Sequence, residues 1–266
     1  MEILGFISAV IIGISLGLIG GGGSILTVPV LVYLLQEDPV ISTAYSLFIV
    51  GTSALVGAAL AYRKGNVDVK TGVIFGIPSI ITVYITRKFI VPSIPAEMFS
   101  IGGVDVTKTS FIMLLFAVLM VAASVSMIRG RKDAGERKDV KFDGKKVLMI
   151  LAEGVIVGLL TGLVGAGGGF LIIPALVLFS GLPMKTAVGT SLMIIATKSL
   201  IGFTGDLSNY DIDWGMLLPF TGLAVGGIFL GSLLSTKIPG SKLKPAFGWF
   251  VLVMGVYMLI KEGMAM

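Results

Sequence analysis

Eight long apolar stretches, separated by short charged or Pro/Gly-rich joints, constrain this chain more than any other feature. They cover approximately residues 3–35, 40–62, 69–86, 107–128, 147–179, 184–205, 214–235 and 243–260. Hydrophobic residues make up 55% of the 266 residues, charged residues 13%, and the mean hydropathy is +1.02. Because about 20 apolar residues span the hydrocarbon core of a bilayer, the sequence predicts an all-α polytopic membrane protein.

The residue types that the chain lacks exclude several functions. Cysteine and histidine are both absent, which excludes disulfides, thiolate or imidazole metal sites, and Cys or Ser-His nucleophilic catalysis. We therefore expect no enzyme activity, no cofactor and no metal site. The basic residues behind the net charge of +5 concentrate in the joints, where they orient membrane proteins, so no nucleic-acid partner is expected. The N-terminal MEILGFISAV is expected to be a retained membrane segment, because it starts acidic and lacks a cleavage site.

The sequence repeats itself at an offset of 145 residues. Gly17 to Asp68 aligns with Gly162 to Asp213 without a gap, and about 16 of the 52 positions are identical. GLIGGGGSILTVPVLV aligns with GLVGAGGGFLIIPALV, and SLFIVGTSALVG with SLMIIATKSLIG. Two copies of one unit therefore make up the chain, as an N-terminal membrane repeat over residues 1–128 and a C-terminal membrane repeat over residues 147–266.

Residues 129–146, RGRKDAGERKDVKFDGKK, separate the two copies. They contain eight Lys or Arg and four Asp or Glu. The positive-inside rule predicts that this segment is a cytoplasmic linker. A solvated loop explains its composition, and a regulatory or anionic-lipid contact is the alternative.

The doubled glycine-proline motif resembles that of a known family. Tandem copies of G-x-x-G-x-G-G, each followed by a proline, a Ser/Thr-containing span and a polar turn ending in V/I-D, resemble the TauE/SafE family of sulfite exporters. The resemblance covers essentially the whole chain. It implies a multi-pass protein of a bacterial or archaeal cytoplasmic membrane, with two homologous halves, that transports sulfite, sulfonates or other small organic anions.

The first apolar stretch of each copy is too long for one membrane span. A helix over residues 3–35 would extend about 50 Å, whereas the hydrocarbon core is about 30 Å thick. Glycines, each costing a helix about 1 kcal/mol relative to alanine, interrupt both stretches near the middle. The first glycine segment is residues 20–24 (Gly20, Gly21, Gly22, Gly23 and Ser24), and the second is residues 165–169, with Gly165, Gly167, Gly168 and Gly169. Pro29 and Pro174 favour a second short helix beginning just before them, where a missing N–H is tolerated.

Two arrangements fit these segments, a kinked single span or a re-entrant hairpin. Two hairpins place about 15 Lys and Arg inside and about 4 outside, whereas eight simple spans give about 12 and about 7, so the positive-inside rule favours hairpins. Each copy then crosses the membrane three times, and the two copies are inverted. The outward position of Arg87 and Lys88 counts against the hairpins.

The glycine segments are predicted to form an anion site. Broken backbone at membrane depth is tolerated only where it is buried or lines a polar cavity, and the free N–H groups at a helix start attract anions. We expect two such helix starts to face each other across a pseudo-twofold axis, with close helix packing as the alternative role of the glycines. Hydroxyls on the next span of each copy could bind substrate oxygens or bond back to their own helices: Ser46, Thr52, Ser53, Ser191 and Thr197.

Two ionisable residues lie well inside predicted membrane segments. Lys198 replaces Ser53 of the first copy, and we predict that it attracts or binds the anionic substrate, since an intramembrane cation is costly unless functional or paired. Snorkelling or a pair with Glu153 are the alternatives. Glu153 is the candidate for proton coupling, and an interfacial carboxylate is its alternative reading. Four polar residues in the turns before the next spans are predicted to cap the helices that follow them: Asn66, Asp68, Asp211 and Asp213.

Together these features predict a secondary transporter of small anions that works by alternating access. The chain has no G-x-x-x-x-G-K-[S/T] motif, so the energy is expected from an ion gradient, such as that of protons, or from the substrate gradient. The expected partners are the small anion, the coupling ion and the lipid bilayer. A non-transporting membrane scaffold or assembly factor, and an anion channel, are the alternative functions.

Overall fold

The computed structural model describes residues 2–101, 104–128, 144–178, 180–235 and 240–265, so most of the predicted linker, residues 129–143, lies outside the described residues. The helices in these ranges are α1 (Glu2–Ile19), α2 (Thr27–Tyr33), α3 (Pro39–Arg63), α4 (Val69–Ile85), α5 (Val91–Ser93), α6 (Lys108–Ile128), α7 (Gly144–Val164), α8 (Gly169–Leu178), α9 (Met184–Asp206), α10 (Trp214–Leu234) and α11 (Gly240–Ala265). A 3₁₀ helix, Gly20–Leu26, joins α1 to α2, and a π-helical segment, Thr86–Ile90, joins α4 to α5.

Six helical stretches in the described ranges are long and apolar enough to cross a membrane. They are Pro39–Arg63, Val69–Ser93, Lys108–Val125, Val147–Val164, Met184–Asp206 and Trp214–Leu234, and the shorter apolar helices Leu4–Ile19 and Gly23–Tyr33 accompany them. The prediction of a helical, multi-pass membrane protein is confirmed at this level.

Both overlong apolar stretches are divided at their glycines. Gly20 and Gly165, which the repeat aligns, have φ angles of 72° and 73°. This left-handed conformation is one that glycine adopts without strain, so each copy turns at the same position. Pro29 is in the first turn of α2, as predicted, whereas Pro174 lies inside α8 because α8 begins earlier in its copy than α2 does.

The first glycine segment and the residues that follow it contact α1 at two places. A Cβ at Gly23 would lie 2.5 Å from the backbone nitrogen of Leu16, and Gly5 contacts the side chain of Leu35. Gly5 belongs to the beginning of α1, and Leu35 follows the end of α2. The segment that follows the first glycines therefore ends beside the start of α1.

The two copies pack through matching pairs of helices. Helix α1 packs on α10 and α4 packs on α7, while α3 packs on α9 and α6 on α11. The 145-residue offset places α1 on α7, α3 on α9 and α4 on α10, so the α1–α10 contact corresponds to the α7–α4 contact. Helices α6 and α11 are the last helix of each copy. At the α1–α10 contact, a Cβ at Gly13 would lie 2.9 Å from the Cα of Gly227, and one at Gly231 would lie 2.9 Å from the Cα of Gly17. Small residues spaced four apart let helices approach this closely.

A short β-hairpin, which the sequence did not predict, precedes α6. Strands β1 (Glu97–Ile101) and β2 (Val104–Thr107) pair antiparallel, with Ile101 opposite Val104. The Ala96 carbonyl accepts a hydrogen bond from the Lys108 amide at 2.9 Å, which closes the base of the hairpin. This β-hairpin therefore lies between α5 and α6, the helix of the fourth apolar stretch.

Aspartates cap three of the long helices. The Asp68 carboxylate accepts a hydrogen bond from the Thr71 amide at 2.9 Å, and that of Asp213 accepts one from the Gly215 amide at 2.9 Å. Of the four predicted capping residues, Asp68 and Asp213 are therefore confirmed as the N-caps of α4 and α10. Asp38 caps α3 in the same way through the Val40 amide, at 2.8 Å.

Candidate functional site

The two glycine segments meet between α3 and α9. Gly21 and Gly169 touch backbone to backbone, and the side chain of Ile195 on α9 contacts Gly21. A Cβ at Gly167 would lie 2.6 Å from Cγ1 of Val50 on α3 and 3.4 Å from Cγ2 of Ile195. One helix from each copy therefore flanks the junction of the two segments.

Close packing accounts for the absence of side chains in both segments. A Cβ at Gly20 would lie 2.5 Å from Cγ1 of Val188, and a Cβ at Gly165 would collide with Thr43. Gly168 similarly contacts Thr161. Close packing, the alternative role of the glycines, therefore applies to both segments. A binding role must depend on side chains and helix ends beside them.

The backbone of the two segments differs. The first is wound into a 3₁₀ helix, in which the Ser24 hydroxyl donates to the Gly21 carbonyl at 2.7 Å. The second is an open turn, in which Gly165, Gly167 and Gly168 all have left-handed φ angles, and it leads directly into the ten-residue α8. An α-helix begins at the junction only in the second copy, so the positive end of a helix dipole is supplied there by α8.

Lys198 on α9 reaches the start of α8. Its side chain is fully buried, and the ammonium donates to Oγ1 of Thr161 at 2.7 Å. The Thr161 hydroxyl in turn donates to the Val157 carbonyl at 2.7 Å, and a Cβ at Gly168 would lie 2.8 Å from the Lys198 ammonium. The ion pair with Glu153 does not form, and in the described part of the chain no carboxylate is in ion-pair contact with Lys198.

Serines on α3 lie on the face that meets the second glycine segment. Ser46 and Ser53 are each about one helical turn from Val50, and both are fully buried. Neither hydroxyl has a hydrogen-bond partner within the described residues. Two buried hydroxyl groups are thus available beside the junction.

Serines on α9 occupy the equivalent face. Ser191 and Ser199 are each about one turn from Ile195, and both are fully buried. The Ser191 hydroxyl donates to the Val188 carbonyl at 2.8 Å, whereas the Ser199 hydroxyl is unpartnered among the described residues. Sequence reasoning missed Ser199 because its counterpart in the first copy, Ala54, has no hydroxyl.

Three residues predicted for the site or its coupling lie away from the junction. Thr197 is exposed, and its hydroxyl donates to the Met193 carbonyl of its own helix at 3.0 Å. Thr52 is half-buried on the neighbouring face of α3. Glu153 is half-buried and lies on α7 about 12 Å, measured along the helix, from Thr161.

A buried ion pair, missed by the sequence analysis, lies on the other side of the second glycine segment. Arg87 and Asp206 are both fully buried, and Nε of Arg87 donates to Oδ2 of Asp206 at 2.7 Å. Nη1 donates to Oγ1 of Thr43 at 2.8 Å and to the Gly162 carbonyl at 3.1 Å. Because Thr43 packs against Gly165, the guanidinium supports the turn itself. The sequence signal that could have found this ion pair was Arg87 itself. The hairpin arrangement places it on the outer side of the membrane, which the positive-inside rule disfavours.

Tyr210 lies in the turn that follows this ion pair. Its hydroxyl is buried without a hydrogen-bond partner in the described ranges. Burial raises the pKa of Tyr210, and the nearby Arg87 charge lowers it to a lesser extent. The turn after α9 therefore places the neutral Tyr210 hydroxyl near the Arg87–Asp206 pair.

Comparison with known proteins gives consistent matches over nearly the whole chain. The profile of the sulfite exporter TauE/SafE family matches residues 5–258. A probable membrane transporter protein of Xylella fastidiosa is 31% identical over 260 residues, which cover 94% of this chain and 91% of that protein. The probable membrane transporter protein YunE of Bacillus subtilis is 29% identical, with 88% and 90% covered, and one from Methanocaldococcus jannaschii is 26% identical, with 97% and 94% covered. No solved structure matches significantly.

Proposed function

We propose, since this chain belongs to the sulfite exporter TauE/SafE family, that it is a secondary transporter of small anions of the sulfite or organosulfur class. The relatives are named as membrane transporters, which supports transport as the activity. The junction of the two glycine segments is the proposed substrate site, and its chemistry supports an anion as the cargo.

The observation that carries the proposal is the position of the Lys198 ammonium. It is fully buried, has Thr161 as its hydrogen-bond partner and lies at the start of α8. A buried charge without a counter-charge is strongly unfavourable, and the positive end of the α8 dipole adds to the positive potential. A bound anion relieves both effects, and unpartnered hydroxyls such as that of Ser53 can donate to its oxygens.

The proposed membrane arrangement is a pair of inverted repeats, each beginning with a re-entrant hairpin. The contact of Gly5 with Leu35 supports the first hairpin, because both limbs then end at one membrane face. The Tyr33 hydroxyl donates to Glu262 near the end of α11 at 3.0 Å, which fits the same face. The objection from Arg87 loses its weight, because Asp206 neutralises the charge.

Alternating access follows from the contacts that join the two copies. On the proposed outer side, Arg87 bonds Asp206, and the Asp213 amide donates to the Tyr45 hydroxyl at 3.0 Å. On the proposed inner side, the Asp68 amide donates to Oγ1 of Thr190 at 2.8 Å. Rocking one copy against the other would break the contacts on one side while keeping those on the other, and so expose the junction to one side at a time.

The proposal is tested by flux into proteoliposomes that contain the purified protein. We expect saturable uptake of sulfite or methanesulfonate and its near-complete loss in Lys198→Gln. Lys185→Gln, which changes an exposed lysine at the start of the same helix, should retain uptake. Equal flux in wild type and Lys198→Gln would remove Lys198 from the substrate site.

The same assay separates the alternative functions. A membrane scaffold or assembly factor would show no saturable flux with any of these anions. A channel would conduct without counterflow, because exchange of internal for external substrate requires a site that alternates between the two faces. Counterflow of labelled substrate is therefore the deciding measurement.

A further inference from the structure

The buried charges of the described residues do not cancel. Three charged side chains are fully buried, namely Arg87, Lys198 and Asp206. Arg87 and Asp206 form an ion pair with an N–O distance of 2.7 Å, so together they contribute no net charge. Lys198 has a threonine hydroxyl as its partner, which leaves one uncompensated positive charge beside the junction.

The charge belongs to one copy only, although the scaffold is repeated. The 145-residue offset places Ser53 at the position of Lys198 and Leu16 at the position of Thr161. The backbone differs between the copies as well, since α8 starts at the junction whereas the first segment continues as a 3₁₀ helix. The two halves of the site thus offer one cation and, on the opposite side, neutral hydroxyls.

We infer, on the basis of the proposed function, that this site accepts substrates with a single negative charge, such as a sulfonate or hydrogensulfite, and discriminates against dianions. One anionic charge cancels that of Lys198 and leaves the buried site neutral. A second anionic charge would be buried without a partner, which is strongly unfavourable in a low-dielectric interior.

The hydroxyls around the junction match such a substrate. Ser46, Ser53 and Ser199 are buried and unpartnered within the described residues. A sulfonate or hydrogensulfite has several oxygens that accept hydrogen bonds, and neutral donors satisfy them without adding charge. Neutral donors also allow release, which a transporter needs as much as binding.

The test compares two tetrahedral anions of similar size and different charge, methanesulfonate and sulfate. In proteoliposomes with the full-length protein, we expect the KM for sulfate uptake to exceed that for methanesulfonate by about tenfold or more. This comparison uses wild-type protein, so it does not depend on whether any variant folds. Equal KM values for the two anions would overturn the inference and leave anion transport standing.

A second cation at the repeat-related position should relax this discrimination. In Ser53→Lys, the ratio of the sulfate KM to the methanesulfonate KM is expected to fall by about tenfold. Ser53→Met is the matched control, because it adds a chain of similar length without charge and should leave the ratio unchanged. A ratio that falls equally in both variants would contradict the charge argument. Absence of flux with every anion would remove the proposed function, and this inference with it.

Discussion

Arg87 and Asp206 illustrate how a single contact between distant residues decides what a charged side chain does. They are 119 positions apart in the chain, yet the guanidinium contacts Asp206, Thr43 and the Gly162 carbonyl. Such a buried pair is costly to break, because the remaining partner becomes an uncompensated buried charge. Lys198 is the opposite case, since no carboxylate within the described ranges pairs with it.

Breaking the Arg87–Asp206 pair should destabilise the fold strongly. Asp206→Leu is expected to lower the free energy of unfolding in detergent by about 3–5 kcal/mol, because it leaves Arg87 buried without a counter-charge. The double variant Arg87→Met/Asp206→Leu should recover most of this loss. Asp211→Asn, which changes an exposed carboxylate in the neighbouring turn, is the control and should have little effect. A double variant that is no more stable than Asp206→Leu would contradict the role of the pair.

Glu153 is predicted to couple transport to protons. It lies in a membrane helix, is half-buried, and has no hydrogen bond or ion pair to the described residues. In Glu153→Gln, we expect anion flux that no longer responds to an imposed pH gradient, while flux driven by the substrate gradient persists. Glu97→Gln, at an exposed position of β1, is the control. If Glu153→Gln keeps the full response to the gradient, the coupling group lies elsewhere.

At the scale of elements, the glycine segments combine two requirements that no other residue meets. Gly20 and Gly165 have left-handed φ angles, and the same segments touch each other and the neighbouring helices without space for a side chain. The cost of glycine in a helix, about 1 kcal/mol each, is thus offset by close contact between the two copies. The proposed substrate site therefore depends on the path of the backbone at the junction.

Alanine at Gly165 should be among the most damaging single substitutions. The left-handed conformation costs a residue with a Cβ about 1–2 kcal/mol, and that Cβ would also collide with Thr43. We expect loss of flux and a fall in the free energy of unfolding of more than about 2 kcal/mol.

Two other glycines separate the causes of this effect. Gly65 has a φ of 70° but open space around its Cβ position, so Gly65→Ala should show the conformational cost alone. Gly222, inside α10, has open space and no left-handed φ angle, so Gly222→Ala should be neutral or slightly stabilising. If Gly165→Ala is no worse than Gly65→Ala, the packing against Thr43 is not important.

At the scale of the molecule, the packing pattern fits the proposed arrangement of two copies related by a twofold axis. Helices α1 and α10 correspond to α7 and α4, and α3 packs on its equivalent α9. Helices α6 and α11, the last helix of each copy, also pack on each other. If the copies are inverted as proposed, they place one central site at their interface. The charges of Lys198 and of the Arg87–Asp206 pair then break the symmetry within a symmetric scaffold.

The absence of cysteine makes the membrane orientation directly measurable. With two hairpins, Ser208→Cys should react with a membrane-impermeant maleimide in intact bacterial cells, whereas Lys185→Cys should be protected. Eight simple spans reverse both results. Glu37→Cys, labelled in either arrangement, and Lys64→Cys, protected in either, serve as controls. The test is direct because wild type has no thiol that reacts.

The sequence by itself determined the properties that depend on local composition and pattern. The apolar stretches indicated membrane helices, the 145-residue repeat indicated two copies, and Asp68 and Asp213 indicated helix caps, because each signal lies within one segment. Lys198 and the glycines were recognisable since their cost at membrane depth is a property of the residue itself.

The tertiary structure decided which of these residues meet. Only tertiary packing could bring Lys198 to Thr161 and the start of α8 within one copy, and join Arg87 to Asp206 across the two copies, while Thr197 bonds to its own helix. Only packing could wind one glycine segment into a 3₁₀ helix and open the other. Such contacts link residues far apart in sequence, and their energies depend on burial and partners that no local pattern encodes.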